Sequence, residues 1–388
     1  MLCSPPFKRW MLKLGSLLLL LVSLAVAMAV VEGGLRFYAE RRAATFVGSP
    51  VPAEDVDPDP LLVAWFRPSY HAANGHVYDR YGFRLNGAPR ADPGPRPVVM
   101  LGGSTAYSWG ADDDQTIEAY LEQSLRRGPR PGPSVVNAGY PGFTTLDTLL
   151  VYQSKVSALR PGTVIVLAGL NDLYYAVDWS PNPSQRLNWA NHVYELALRA
   201  RHDPSLRPVV DAVDRIALRD CFTCYALGSA FSQLYERTQL TPALGAALVL
   251  GLQPMAAPND RAMQLTAWSI GDLARRVRAD GGCLVVAWQP MAGVPDGAHS
   301  EGERRAVAQV SQKAPSWGTV APQMFARLRA DTAPVFASGS AVEADLTHLF
   351  DDVEETVFVD DGAHYSPRGN RMIADALSKV AASPGCAP

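Results

Sequence analysis

The chain has 388 residues, 48% of them hydrophobic, with 35 basic and 38 acidic side chains and a formal net charge of −3. That length allows one large domain with additions, or two domains, and the apolar content is enough for a substantial core. The near balance of charge gives no electrostatic ground for a nucleic-acid partner.

The first element in chain order is an uncharged run from Leu14 to Val31 that includes five consecutive leucines, Leu17 to Leu21. It is close to the shortest helix that crosses a bilayer. Lys8, Arg9 and Lys13 precede it, so the positive-inside rule keeps a short tail over residues 1–9 in the cytoplasm and exports the rest. Arg36, Arg41 and Arg42 on the far side run against this. Ala27-Met28-Ala29 offers a processing site for a cleaved signal peptide as the alternative; the apolar run exceeds the usual signal-peptide core and favours a retained anchor over 10–32. Either way the bulk of the chain is expected outside the cytoplasm; with the anchor retained it is tethered to the inner membrane and faces the periplasm.

Of the five cysteines, Cys3 falls on the cytoplasmic side, leaving Cys221, Cys224, Cys283 and Cys386 where pairing is possible. Cys221 and Cys224 have no second Cys-x-x-Cys or close histidine pair to complete a zinc site. Cys283 opens the run Leu284-Val285-Val286-Ala287-Trp288 and is expected as a buried strand residue.

Residues 33–95 read as a spacer and a small β element. Five prolines between Ser49 and Pro68, with several acids, suggest an extended spacer; His76 to Arg84 suggests the β element, packed against the main domain. From about residue 96 strand and helix alternate, the pattern of a parallel sheet covered on both sides. Val98 to Leu101 is an apolar strand that runs into Gly102, Gly103 and Ser104. Ser134 to Gly139 and Thr163 to Ala168 repeat the form, the second ending in Gly169-Leu170-Asn171-Asp172. Helical spacing comes after the first two: Ile117, Tyr120, Leu121 and Leu125, then Leu146, Leu149, Leu150, Val156 and Leu159. Met263, Ala267, Ile270, Ala274 and Val277 form a crossover helix before the strand at Leu284. The stretch of about 178–258 is then a helical insertion, read either as a cap over the site or as helices on a flank. Near the end, Val357 to Val359 reads as a brief strand, and Ser366-Pro367 as an N-cap with proline at the first helical position.

A serine hydroxyl becomes a useful nucleophile when an imidazole takes its proton and a carboxylate orients that imidazole. Ser104, His364 and one of Asp360 and Asp361 supply the three. An ester passing through a tetrahedral oxyanion also needs aimed N–H donors. The backbone N–H groups of Ser104 and Gly139 and the side-chain amide of Asn171 are the candidates. No metal or cofactor is required. Trp109, Tyr140, Phe143, Tyr174 and Tyr365 neighbour these residues and are read as packing; the histidines at 71, 192, 202, 299 and 348 show no partner pattern.

The four blocks Gly-Gly-Ser104-Thr, Asn-Ala-Gly139-Tyr-Pro-Gly, Gly-Leu-Asn171-Asp and Asp361-Gly-Ala-His364 resemble, in order, those of the SGNH or GDSL-like hydrolases. Gly103 stands where the family has Asp, a variant of membrane-anchored bacterial members. The resemblance spans roughly Arg96 to Ala382, less the insertion, within an expected hydrolase domain over 96–384. It implies a flavodoxin-like three-layer α/β/α fold and ester hydrolysis or acyl transfer. The family spacing Asp-x-x-His selects Asp361 over Asp360 as the orienting acid. The expected protein is a membrane-tethered serine esterase acting on an O-acyl group, such as acetyl, of a carbohydrate or lipid. An O-acyltransferase using the same residues on envelope or exported polysaccharide, and a non-catalytic glycan- or phosphate-binding module, are the alternatives.

Overall fold

The computed structural model describes residues 15–16, 19–20, 22–23, 26–27, 30, 51, 55–59, 61–87, 92–127, 132–178, 260–313, 316–355, 357–360 and 364–381. The chain divides into two units, one of residues 1–49 and 200–249 and one of 50–199 and 250–388. In the first, Leu19, Leu20, Val22, Val26 and Val30 are helical and exposed. Among the described residues no helix is long and apolar enough to cross a membrane. Most of the expected anchor over 10–32, the insertion beyond Asp178, and Cys3, Cys221, Cys224 and Cys386 lie outside the described residues.

The second unit is built on a five-stranded sheet. In chain order its strands are β3 (Val98–Gly102), β4 (Val135–Gly139), β5 (Thr163–Ala168), β6 (Cys283–Trp288) and β7 (Val342–Asp345), after a separate hairpin of β1 (Val56–Asp59) and β2 (Val63–Phe66). All neighbours in the sheet pair in parallel. The spatial order is β4-β3-β5-β6-β7. This is the flavodoxin-like order, in which the connection leaving the first strand goes one way and the next goes the other. Ligands in such sheets bind at that reversal, outside the carboxyl ends of the strands. Here the reversal lies at β3, and β3 ends one residue before Gly103-Ser104.

Helices cover both faces. They are α1 (Ile117–Arg126), α2 (Thr145–Val151), α3 (Leu170–Asp178), α4 (Asp260–Ala279), α5 (Glu301–Lys313), α6 (Trp317–Ala337) and α7 (Pro367–Ala381). Alternate strand residues point to opposite sides. Val99, Leu101, Val164, Val166, Val286 and Trp288 pack with α2, α3, α4 and α6 in one core. Val98, Met100, Ile165, Val285 and Ala287 pack with α1 and α7 in the other. Burial on both sides explains why β3 and β5 are nearly unbroken apolar runs and why β4 is broken only by Asn137, and each fully buried aliphatic side chain contributes about 1.5–3 kcal/mol.

Two helix starts have clear chemical causes. Thr144 and Asp147 form a reciprocal capping box on α2. Ser366 Oγ accepts from Gly369 N–H at the start of α7, where Pro367 occupies the first helical position.

Within the expected spacer over Ser49–Pro68, the described residues instead include the β1–β2 hairpin. Val56, Leu62, Trp65 and Phe66 are buried, and Asp59 Oδ1 accepts from the N–H groups of Leu61 and Leu62 at the turn. Burial of two aromatic rings outweighs the extended preference that the prolines suggest. Phe66 stacks on Tyr78 and on Tyr107, with ring centroids 4.4 and 5.3 Å apart. The segment 76–84 docks on the edge strand β4 through an antiparallel bridge between Arg84 and Asn137, which covers an otherwise open sheet edge. Cys283 is only half-buried at the start of β6 and is disulfide-bonded, in contrast to the buried strand residue that its apolar run predicts. Val357 to Val359 contributes a single bridge, Phe358 to Tyr365, in place of the expected strand.

Candidate active site

Ser104 comes two residues after the end of β3, on a tight turn. Gly102 has φ +147°, and a β-carbon there would lie 2.7 Å from Leu167 O and 2.9 Å from Ala106 Cβ, so only glycine fits. Tyr107 N–H donates to Gly103 O and Trp109 N–H to Ser104 O, both at 2.9 Å, closing the turn around a half-buried Ser104.

That turn is held from outside the sheet. Arg84, fully buried, donates to the carbonyls of Tyr107, Ser108 and Ala111 and to Asp113 Oδ1. Its guanidinium also lies 4.7 Å from the Tyr107 ring centroid. Asp113 takes a second contact from His76 Nδ1 at 3.0 Å. Burial pushes the Asp113 carboxyl up, but His76 and Arg84 outweigh it and the net shift is downward.

Asn171 lies in the first turn of α3. Its Nδ2 donates to Phe143 O at 2.8 Å, which fixes the amide and leaves its second N–H over. The neighbouring Asp172 is buried and ties three elements together. It accepts from Thr145 N–H and hydroxyl, Gly169 N–H and Thr266 hydroxyl. Burial nonetheless raises its carboxyl above the ordinary value. Gly103, Thr105, Phe143, Gly169, Asn171 and Gln289 line a small cleft here.

Gly139 does not supply the expected donor. Its N–H donates to Asn137 Oδ1 at 3.1 Å within its own strand. A β-carbon on Gly139 would collide with the backbone of Ala106 and Tyr107, so this glycine serves the close approach of β4 to the Ser104 turn.

His364 stands just before α7, on a stretch closed by the bonds Val359 N–H to His364 O and Ser366 N–H to Val357 O. The carboxylate on it is that of Asp360, which meets Nδ1 through Oδ2 and accepts the His364 N–H through Oδ1 at 3.0 Å. The family spacing points to Asp361 instead, which lies outside the described residues. The physical reason for Asp360 is the local turn, which folds its carboxylate back over both nitrogens of a residue four positions on. A carboxylate on Nδ1 puts the neutral ring's proton there and leaves Nε2 as an acceptor. Nε2 is buried and has no hydrogen-bond partner among the described residues, so no bond joins it to Ser104 in this structure. Trp109 links the two blocks, its ring 6.4 Å from that of His364 on the turn that begins at Ser104. Tyr365 anchors the same segment by donating to Pro290 O at 2.6 Å.

The arrangement therefore holds a half-buried alcohol, an oriented imidazole and a fixed amide along the carboxyl edge of one sheet. Residues 100–372 match the model of the GDSL-like lipase/acylhydrolase family. No curated protein matches the chain. Among solved structures, it is similar to a protein of the G-D-S-L family from Desulfitobacterium hafniense, at 12% identity and a TM-score of 0.38, covering 74% of this chain and 99% of that one. It is also similar to Axe2, an acetylxylan esterase from Geobacillus stearothermophilus, at 12% identity and a TM-score of 0.39, covering 76% and 98%. The match to the family model spans most of the chain and takes in Ser104, Asn171 and His364: this chain belongs to the GDSL-like lipase/acylhydrolase family and is an ester-hydrolysing enzyme.

Proposed function

We propose that the protein is a serine esterase of the cell envelope, working through an acyl-enzyme on Ser104. The observation that carries this reading is the state of His364, whose Nδ1 is engaged by Asp360 while Nε2 is buried and unpartnered among the described residues. An imidazole held in that tautomer is a general base awaiting a proton. Ser104 Oγ attacks the ester carbonyl and passes its proton to Nε2, which returns it to the departing alkoxide. Water, activated by the same nitrogen, then releases the carboxylic acid and restores Ser104. The oxyanion is received by the Ser104 N–H and the second N–H of Asn171. Because the Gly139 amide is already engaged, the further backbone donor in this scheme is Gly142, in the turn whose next residue, Phe143, holds Asn171.

The envelope location is supported by the exposed helical residues Leu19, Leu20, Val22, Val26 and Val30, which suit a lipid environment, and by the disulfide at Cys283, which suits an oxidising compartment. The natural substrate is proposed to be a short O-acyl ester of an envelope carbohydrate or lipid. The half-buried Trp109 ring beside His364 suits the flat apolar face of a sugar.

The test is labelling of the full-length protein, in detergent, with a serine-directed phosphonate, alongside hydrolysis of a short-chain nitrophenyl ester. Wild type is expected to be labelled at Ser104 and to turn over the ester; Ser104→Ala and His364→Ala are expected to lose several powers of ten in kcat. Undiminished turnover by Ser104→Ala would end the serine mechanism.

A further inference from the structure

The loops after β6 and β7 bring four metal-ligating side chains to one place, away from the Ser104 cleft lining. Asp296 and His299 come from the first loop, His348 and Asp351 from the second. His299 Nε2 lies 2.9 Å from Asp296 Oδ1 and 3.9 Å from Asp351 Oδ2. His348 Nδ1 lies 2.8 Å from the same Asp351 oxygen, and the two imidazole centroids are 6.1 Å apart. Donor atoms of Asp296, His299 and His348 all fall within 4.8 Å of one another. Around a tetrahedral ion with bonds of about 2.1 Å, donors are separated by roughly 3.4 Å. Asp296, His299 and His348 are exposed and free to rotate over that difference, around a half-buried Asp351.

The backbone beneath these side chains is already fixed. Glu303 accepts from Gly293 N–H through one oxygen and from His299 N–H through the other, at 3.0 and 2.7 Å. On the second loop Asp345 Oδ1 accepts from the N–H and the hydroxyl of Thr347, the residue before His348. Loops held in this way present their ligands at reduced entropic cost.

The donor set decides the ion. Two imidazoles and two carboxylates give an N₂O₂ site with two negative charges. Calcium takes six to eight oxygens and magnesium a near-ideal octahedron, so neither is served by imidazole pairs. Zinc and its transition-metal neighbours are. We propose that Asp296, His299, His348 and Asp351 bind one divalent transition-metal ion of the zinc class, which clamps the β6 loop to the β7 loop.

The clamp bears on the catalytic histidine's support. The Tyr365 hydroxyl donates to Pro290 O on the first loop, and its ring packs at 5.4 Å against Phe350, the residue before Asp351, on the second. An ion joining the loops thus stiffens both walls that grip Tyr365, next to His364. The ion stands outside the acyl chemistry, so its binding does not depend on the serine mechanism.

The test uses the full-length protein in detergent, stripped with a chelator and titrated with zinc chloride by calorimetry, and with cobalt(II) by visible absorption. Wild type is expected to take up one ion at a micromolar or tighter dissociation constant. The His299→Ala/His348→Ala double variant is expected to bind at least tenfold more weakly, while His364→Ala binds as wild type does. Saturating zinc is expected to raise the Tm of wild type and leave that of the double variant unmoved. No stoichiometric uptake, or uptake that survives in the double variant, would overturn the site and leave two plain His–Asp pairs; uptake without a rise in Tm would overturn the clamp.

Discussion

The side-chain amide of Asn171 occupies the space that a β-carbon on Gly103 would need, and the Phe143 carbonyl oxygen stands 2.9 Å from the same point. Gly103 therefore sets where Asn171 sits. Gly103→Ala is expected to push the amide off Phe143 O and out of line with the oxyanion, lowering kcat on a nitrophenyl ester roughly 10²–10³-fold. Asn171→Ala should fall in the same range. The double variant should be little worse than either single one, since both remove one donor; fully additive losses would show that Gly103 acts by another route.

Asp360 and Asp361 separate by a direct comparison. Asp360 engages both nitrogens of His364 that face it. Asp360→Asn is expected to cost several powers of ten in kcat, because an amide favours the wrong tautomer of the ring. Asp361→Asn should stay within a few-fold of wild type. Steady-state rates across the pH range of activity decide the matter, and the reverse ranking would transfer the orienting role to Asp361.

The sheet's centre was legible because strands buried on both faces spell out apolar runs, as in β5 (TVIVLA) and β6 (CLVVAW). β7 was not: VEAD lies at the sheet edge and buries only Ala344 fully, so its sequence carries no run to read. The β1–β2 hairpin was hidden by prolines because its stability comes from Trp65 and Phe66 meeting aromatic rings that are distant in sequence. Ser104, Asn171 and His364 stood out because each ends an apolar strand or starts a capped helix. The choice between adjacent acids depends on the path of one turn, and the loss of the Gly139 amide on a side chain in its own strand. His299 and His348 had no visible partners because each finds them partly in a loop far along the chain.

Arg84 supports the nucleophile turn without reaching the reacting atoms. Arg84→Met would leave the Tyr107, Ser108 and Ala111 carbonyls without this donor and deprive Asp113 of a buried cation. Breaking a buried charge network by removing one member costs on the order of 3–5 kcal/mol. Urea unfolding should show a loss of that size, and phosphonate labelling of the remaining folded protein should slow as the turn loosens. Retained stability would mean that water satisfies these groups.

Glu118, in the first turn of α1, gives the fold a pH dependence of its own. It is fully buried, one carboxylate oxygen has no hydrogen-bond partner among the described residues, and burial pushes its carboxyl up from 4.5 to about 8. The unfolded chain releases this proton near pH 4.5 and the folded chain keeps it to about 8. Between those values the folded state binds more protons, so stability falls as pH rises and the full loss is reached above the folded value. A shift of this size corresponds to a few kcal/mol. Glu118→Gln, which keeps the shape and carries no charge, is expected to match wild type near pH 4.5 and to exceed it in Tm by several degrees at pH 8.5. Equal pH profiles for the two proteins would place the Glu118 proton in solution rather than in the core.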